Sequence, residues 1–171
     1  MKIIFVDGYN VINSWPNLKK FIHMDSEIVR QKLIDIMENY AVFNECKIFL
    51  VFDAHSSNTS GDRKVDISDN LSVIFTKQGE LADTYIERVV HKIGRKSEIM
   101  VVTSDYLEQQ TVFQRGGARI SSLEFYRDVY DIDCKIKIET EKINATNNRS
   151  LLMDNLDDKI IDKLENIRKG S

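Results

Sequence analysis

The sequence predicts a three-layer α/β fold with a central, mostly parallel sheet, and two observations carry that prediction. Short apolar runs alternate with longer stretches of helical periodicity, as strand–helix–strand units do. The runs themselves are almost continuously apolar, which is how strands buried on both faces of a parallel sheet read. A chain of 171 residues with 42% hydrophobic and 30% charged residues has room for one domain and a sizeable core. That composition excludes a disordered tail, a fibrous repeat and a membrane protein.

The first strand is Lys2–Val6, KIIFV, ended by Asp7 and Gly8. A helix follows over Asp25–Phe43, with Ile28, Val29, Leu33, Ile36, Met37 and Tyr40 at helical spacing. The second strand, Lys47–Phe52, ends in Asp53, and the third is Leu71–Phe75. Glu80–Ile93 reads as a helix with Leu81, Tyr85, Ile86, Val89, Val90 and Ile93 on one stripe. Glu98–Val102 is the fourth strand, a further helix is expected from Asp105, and Ala118–Ser121 is a weaker fifth strand. Tyr130–Ile143 is ambiguous: Ile132, Cys134, Ile136 and Ile138 alternate like a strand while the flanks look helical. The final helix spans about 157–168. With seven glycines and one proline there is no linker, so residues 1–171 read as a single domain.

Twenty-four basic against 27 acidic residues give a net charge of −3. A nucleic-acid clamp working through overall charge is excluded, and any such contact needs local patches or a partner. Cys46 and Cys134 lie in no metal or redox spacing and read as reduced thiols. The apolar start is interrupted at Asp7, too soon for a signal peptide, and no run is long enough to span a membrane. A cytoplasmic protein with no membrane partner is the expectation.

In parallel α/β sheets ligands gather outside the carboxyl ends of the strands. Asp7, Asp53 and Asp105 each follow a strand, and Glu80 and Asp83 sit in what reads as the first turn of one helix, three residues apart on one face. Such crowded carboxylates suit a hard divalent cation, which takes oxygen ligands and can activate water and neutralise charge on a phosphodiester. Singly, each acid has a plainer reading. Asp105 with Glu108 can cap a helix, Glu80 and Asp83 can complement a helix dipole, and Asp53 can end a strand in a turn. Asn10 can orient water or phosphate, or stabilise the loop after the first strand. Ser104 and Lys77 are candidate phosphate contacts at strand ends, and Arg115 and Arg119, flanking Gly116-Gly117, are the preferred ones. Tyr9, Trp15 and Tyr106 are candidates for stacking unpaired bases, and Arg88 to Lys96 is a further basic cluster. Absence of a GxGxxG or P-loop motif disfavours nucleotide-cofactor folds.

The run IIFVDGYNVINSWP, with VFDAH at 51–55, VIFTKQGELADTYIE at 73–87, VTSDYLEQ at 102–109 and Gly116–Ser121, resembles the YacP-like subgroup of NYN domains, a branch of the PIN-like metal-dependent nucleases. The resemblance extends along essentially the whole chain. It implies a PIN-like fold and an RNA-cleaving hydrolase using Mg²⁺ or Mn²⁺. By position, Asp7, Asp83 and Asp105 match the acidic site, with Asn10 and Asp53 beside them. It further implies mRNA as substrate and the ribosome as a partner. Leu81 and Ser122 depart from the subgroup's usual Thr and Ala. Two other classes remain open at this point: a non-catalytic RNA- or ribosome-binding module, and a metal-dependent phosphohydrolase of small esters.

Overall fold

The computed structural model describes residues 1–54, 61–104, 117–154 and 158–170. Six strands form one sheet: β1 (Lys2–Asp7), β2 (Lys47–Phe52), β3 (Arg63–Asp66), β4 (Leu71–Phe75), β5 (Glu98–Val102) and β6 (Ala118–Ile120). Their order is β3-β4-β2-β1-β5-β6, parallel throughout except for β3, which pairs antiparallel with β4. The helices are α1 (Gly8–Ser14), α2 (Pro16–Lys19), α3 (Ser26–Phe43), α4 (Ala82–Ile93), α5 (Ser122–Asp154) and α6 (Asp158–Arg168). Two compact units result, Met1–Ile132 and Asp133–Ser171, and the first contains the entire sheet. No helix among the described residues is long and apolar enough to cross a membrane.

The predicted α/β layering is observed, because strand residues alternate between two apolar faces. Ile4 and Val6 of β1 join Ile48, Leu50 and Phe52 of β2 in one core, packed with Val11, Leu33, Met37 and Phe125 from the helices. Phe5, Val51, Ile74 and Val101 point to the opposite face, where Ala82, Ile86 and Val90 of α4 cover them. Both faces are thus apolar, which explains the unbroken apolar runs.

Besides the short α2, which was not expected, four elements differ from the sequence reading. The segment after β1 is a helix, α1, and not a loop: the Asp7 carboxylate accepts from the Asn10 N–H at 3.1 Å and nucleates it. Strand β3 was not expected; RKVD is polar because an antiparallel edge strand needs no buried face. Tyr130–Ile143 is helical within α5. That helix starts with a capping box, in which the Glu124 N–H donates to Ser121 Oγ (3.2 Å) and the Ser121 N–H donates to Glu124 Oε2 (2.9 Å). Finally, α4 begins at Ala82 and leaves Glu80 before it. A turn with Lys77 O accepting from the Glu80 N–H, and Gly79 at φ 82°, delays the helix. The helix expected from Asp105 lies outside the described residues.

Gly8, between Asp7 and Tyr9, is set against the Phe52 ring so closely that any Cβ would collide with it. Phe52 is fully buried and cannot retreat. Replacing Gly8 by Ala is therefore expected to destabilise the fold by about 1–3 kcal/mol, the usual penalty of overpacking, read as a lower urea midpoint at unchanged m-value.

Candidate active site

The sheet changes winding direction between β1 and β5, so the crevice at their carboxyl ends is the natural ligand site. Asp7 ends β1 there. Asp53 follows β2, the neighbour of β1, and Asp83 stands in the first turn of α4. The three carboxylates are close enough that Asp53 and Asp83 both act on the charge of Asp7. Burial raises the Asp7 pKa to about 6; N–H groups of Asn10 and Tyr9 offset part of that rise, and the two neighbouring charges add to it.

Each acid is also held by backbone donors. Asp7 caps α1. Asp53 reaches across to accept from the Ala82 N–H at the start of α4. That contact explains how α4 starts at all, since its N-cap position is Leu81, which supplies no side-chain acceptor. Asp83 accepts from the Thr84 N–H at 2.6 Å.

Asn10 bridges the crevice. Its side-chain oxygen accepts from the Ser104 N–H (3.1 Å), just beyond β5, and from the Ser122 hydroxyl (2.5 Å), at the start of α5. Ser122 is fully buried, and its carbonyl accepts from the Trp15 indole N–H at 2.8 Å. With its oxygen so engaged, the carboxamide has its NH₂ as the end left to donate. Ser122 was noted in sequence only as a departure from the subgroup pattern; its role needed the fold.

Other candidates are placed differently. Both oxygens of Glu80 are taken by Arg88, whose Nε and Nη2 donate at 3.1 and 3.2 Å, and Arg88 also pairs with Asp62 at 3.0 Å. Glu80 is thus buried in an ion pair beside the site, and Arg88 leaves the basic cluster to serve it. Lys77 is exposed in the turn, its N–H donating to Asp62. Arg119 lies exposed in β6, opposite Val101. Trp15 is fully buried, packed against Phe125 and Tyr126, so it is a core residue and not a base-stacking one. Asp105, Arg115 and Tyr106 lie outside the described residues.

Among the described residues no three His, Cys, Asp or Glu side chains form a ready-made metal cage. Asp7, Asp53 and Asp83 do bring carboxylate oxygens, the ligand type a hard divalent cation takes, to one partly exposed crevice.

Comparison with known proteins agrees with this architecture. Residues 4–169 match the family model of the YacP-like NYN domain. The chain belongs to that family. It is 34% identical over 171 residues to protein YacP of Bacillus subtilis (strain 168), covering 99% of this chain and 98% of that protein. The crystal structure of Rae1 (YacP) from Bacillus subtilis superposes with a TM-score of 0.74 and 32% identity, over 99% of this chain and 96% of that one. A mutant of the same protein gives a TM-score of 0.72 and 36% identity over 85% of each chain. This YacP-like NYN domain accordingly has a nuclease-like α/β fold.

Two outcomes are expected from the site's electrostatics and capping. Asp7 has a folded pKa near 6, above its unfolded value near 3.8, so the folded state binds more protons between those values. The contribution of Asp7 to the stability of the metal-free protein should therefore fall as pH rises through about 4 to 6, by up to about 3 kcal/mol, read as the difference from a variant without that charge. Asp7→Asn keeps the cap and removes the charge. In EDTA it should therefore be more stable than the parent at about pH 7 and show no such gain near pH 4, measured by urea unfolding. A gain equal at both pH values would contradict this account of Asp7. Separately, Leu81→Thr supplies the absent N-cap oxygen and should stabilise α4 by about 0.5–1 kcal/mol, seen as a higher thermal midpoint.

Proposed function

We propose that this protein is a metal-dependent endoribonuclease that hydrolyses phosphodiester bonds in mRNA, in the cytoplasm and in association with ribosomes. The observation that carries the reading is the crowding of Asp7, Asp53 and Asp83 at the sheet's switch point, where like charges share a half-buried site. Carboxylates so placed are stable together when a cation sits among them. The resemblance of the sequence motifs to ribosome-associated members of the family supports the choice of mRNA and of the partner.

A bound Mg²⁺ or Mn²⁺ would supply charge neutralisation on the phosphate and activation of water. The remaining work belongs to the chain. Asp7 and Asp83 face the phosphodiester with fixed carboxylates, each oriented by a backbone N–H. Asp105 is assigned to the same site by its place in the VTSDY motif. Asn10, pinned through its oxygen by Ser104 and Ser122, presents its NH₂ to a phosphate oxygen or to the attacking water. Arg88 holds Glu80 and Asp62 together and so braces the 77–80 turn that leads into α4.

Purified protein incubated with end-labelled mRNA, with and without ribosomes, tests this. Internal cleavage is expected with Mg²⁺ or Mn²⁺ and none in excess EDTA. Asp7→Asn and Asp83→Asn should each lower the cleavage rate by about 100-fold or more while the circular dichroism spectrum is unchanged. Undiminished cleavage in EDTA, or in the double variant, overturns the reading.

A further inference from the structure

Outside the acidic site, two arginines share one aromatic ring at the same edge of the sheet. Phe75 is the last residue of β4, and its ring stacks on Phe52 at 5.9 Å between centroids. Arg63 opens β3 directly opposite Phe75 in the antiparallel register, with its guanidinium carbon 5.4 Å from the Phe75 centroid. Arg30, in the first half of α3, places its guanidinium carbon 5.8 Å from the same centroid and donates from Nη1 to the Tyr9 hydroxyl at 3.2 Å. Tyr9 in turn meets Phe52 edge-on at 5.1 Å. An aromatic row, Tyr9–Phe52–Phe75, thus connects the residue two beyond Asp7 to a pair of cations.

The pair is unusual in its charge balance. Ion pairs among the described residues engage Lys64, Arg88 and Lys137, and neither Arg30 nor Arg63. Two guanidinium groups drawn to one ring repel each other, and the ring's quadrupole offsets that only partly at an accessible site. Arg63 is exposed and Arg30 half-exposed, so their remaining N–H donors are open to an anion. Forked guanidinium donors match phosphate oxygens bidentately, and a chain of net charge −3 must draw a polyanion by a local patch. The adjacent Tyr9 ring, half-exposed, adds aromatic surface of the kind on which unpaired bases lie.

We propose that Arg30 and Arg63 form a phosphate-binding subsite for single-stranded RNA, flanking the acidic site and holding the strand beside Asp7. The proposal rests on the ribonuclease reading for its ligand, but it is tested by binding and not by cleavage. A fluorescent, uncleavable 2′-O-methyl oligoribonucleotide is titrated in EDTA with the full-length protein, by anisotropy, at several salt concentrations from about 50 to about 200 mM. Arg63→Gln and Arg30→Gln should each weaken binding and lower the salt-dependence slope by about 0.7, and the double variant by about 1.4, as expected for phosphate contacts to a single strand. Arg63→Lys should retain most of the slope. Because Arg63 is exposed on an edge strand, its variants keep the fold even if Arg30→Gln, which loses the Tyr9 bond, does not.

Unchanged affinity and slope in Arg63→Gln, or no binding of the oligoribonucleotide by the parent protein, overturns the subsite. So does loss of binding to poly-glutamate with RNA binding intact, which would make this a protein-facing surface. Absence of cleavage with Mg²⁺, by contrast, defeats the nuclease reading while leaving this binding result standing.

Discussion

Like charges confined near one another at the end of a sheet are the constraint on which the site depends. Burial of the Asp7 carboxylate is the larger penalty, and the neighbouring charges of Asp53 and Asp83 add to it. Backbone N–H groups make the arrangement tolerable. Asp7 lies at the positive end of α1, and Asp53 and Asp83 lie at the positive end of α4, each accepting from a main-chain donor. Two helices converge by their N-termini on one crevice, and the carboxylates that would hold a cation are the same groups that start those helices. Folding and the candidate chemistry are coupled at these residues.

Packing around the crevice serves that geometry. Gly8 lets the chain pass over Phe52, so that α1 can begin immediately after β1 and keep Asp7 at its cap. Trp15, buried, ties the end of α1 to the start of α5 through the Ser122 carbonyl, while the Ser122 hydroxyl fixes Asn10. On the opposite side, Arg88 gathers Asp62 and Glu80, which closes the turn that precedes α4. The aromatic row from Tyr9 to Phe75 extends the same edge toward Arg30 and Arg63.

Much of the fold was legible along the chain, and the reasons are local. The four main strands are apolar on both faces, so KIIFV, KIFLVF, LSVIF and EIMVV stand out without any knowledge of their partners. Helix α3 was equally plain from its spacing; that Asp25 caps it, accepting from the Glu27 N–H, came from the structure. Legibility failed where stability comes from contacts distant in sequence. Helix α1 is seven residues long and depends on the Asp7 cap and on packing; β3 is polar and exists through pairing with β4. The alternation in 130–143 was a coincidence of Ile and Cys spacing, overruled by a helix started at the Ser121–Glu124 box. That box could have been read from the sequence.

For the site, the order of residues along the chain determined which acids end strands, and therefore that Asp7 and Asp53 stand at one edge of a parallel sheet. It also determined the family, since the motifs run through nearly the whole chain. Tertiary structure alone decided how those groups are used. It paired Glu80 with Arg88, made Asp53 the cap of a helix nearly thirty positions further on, and buried Trp15 in the core. It also brought Ser122 to Asn10, and Arg30 and Arg63 to one ring. The physical reason is range: strand burial and helix periodicity repeat every two to four residues, whereas hydrogen bonds and charges choose partners by distance in space, which the chain order does not encode.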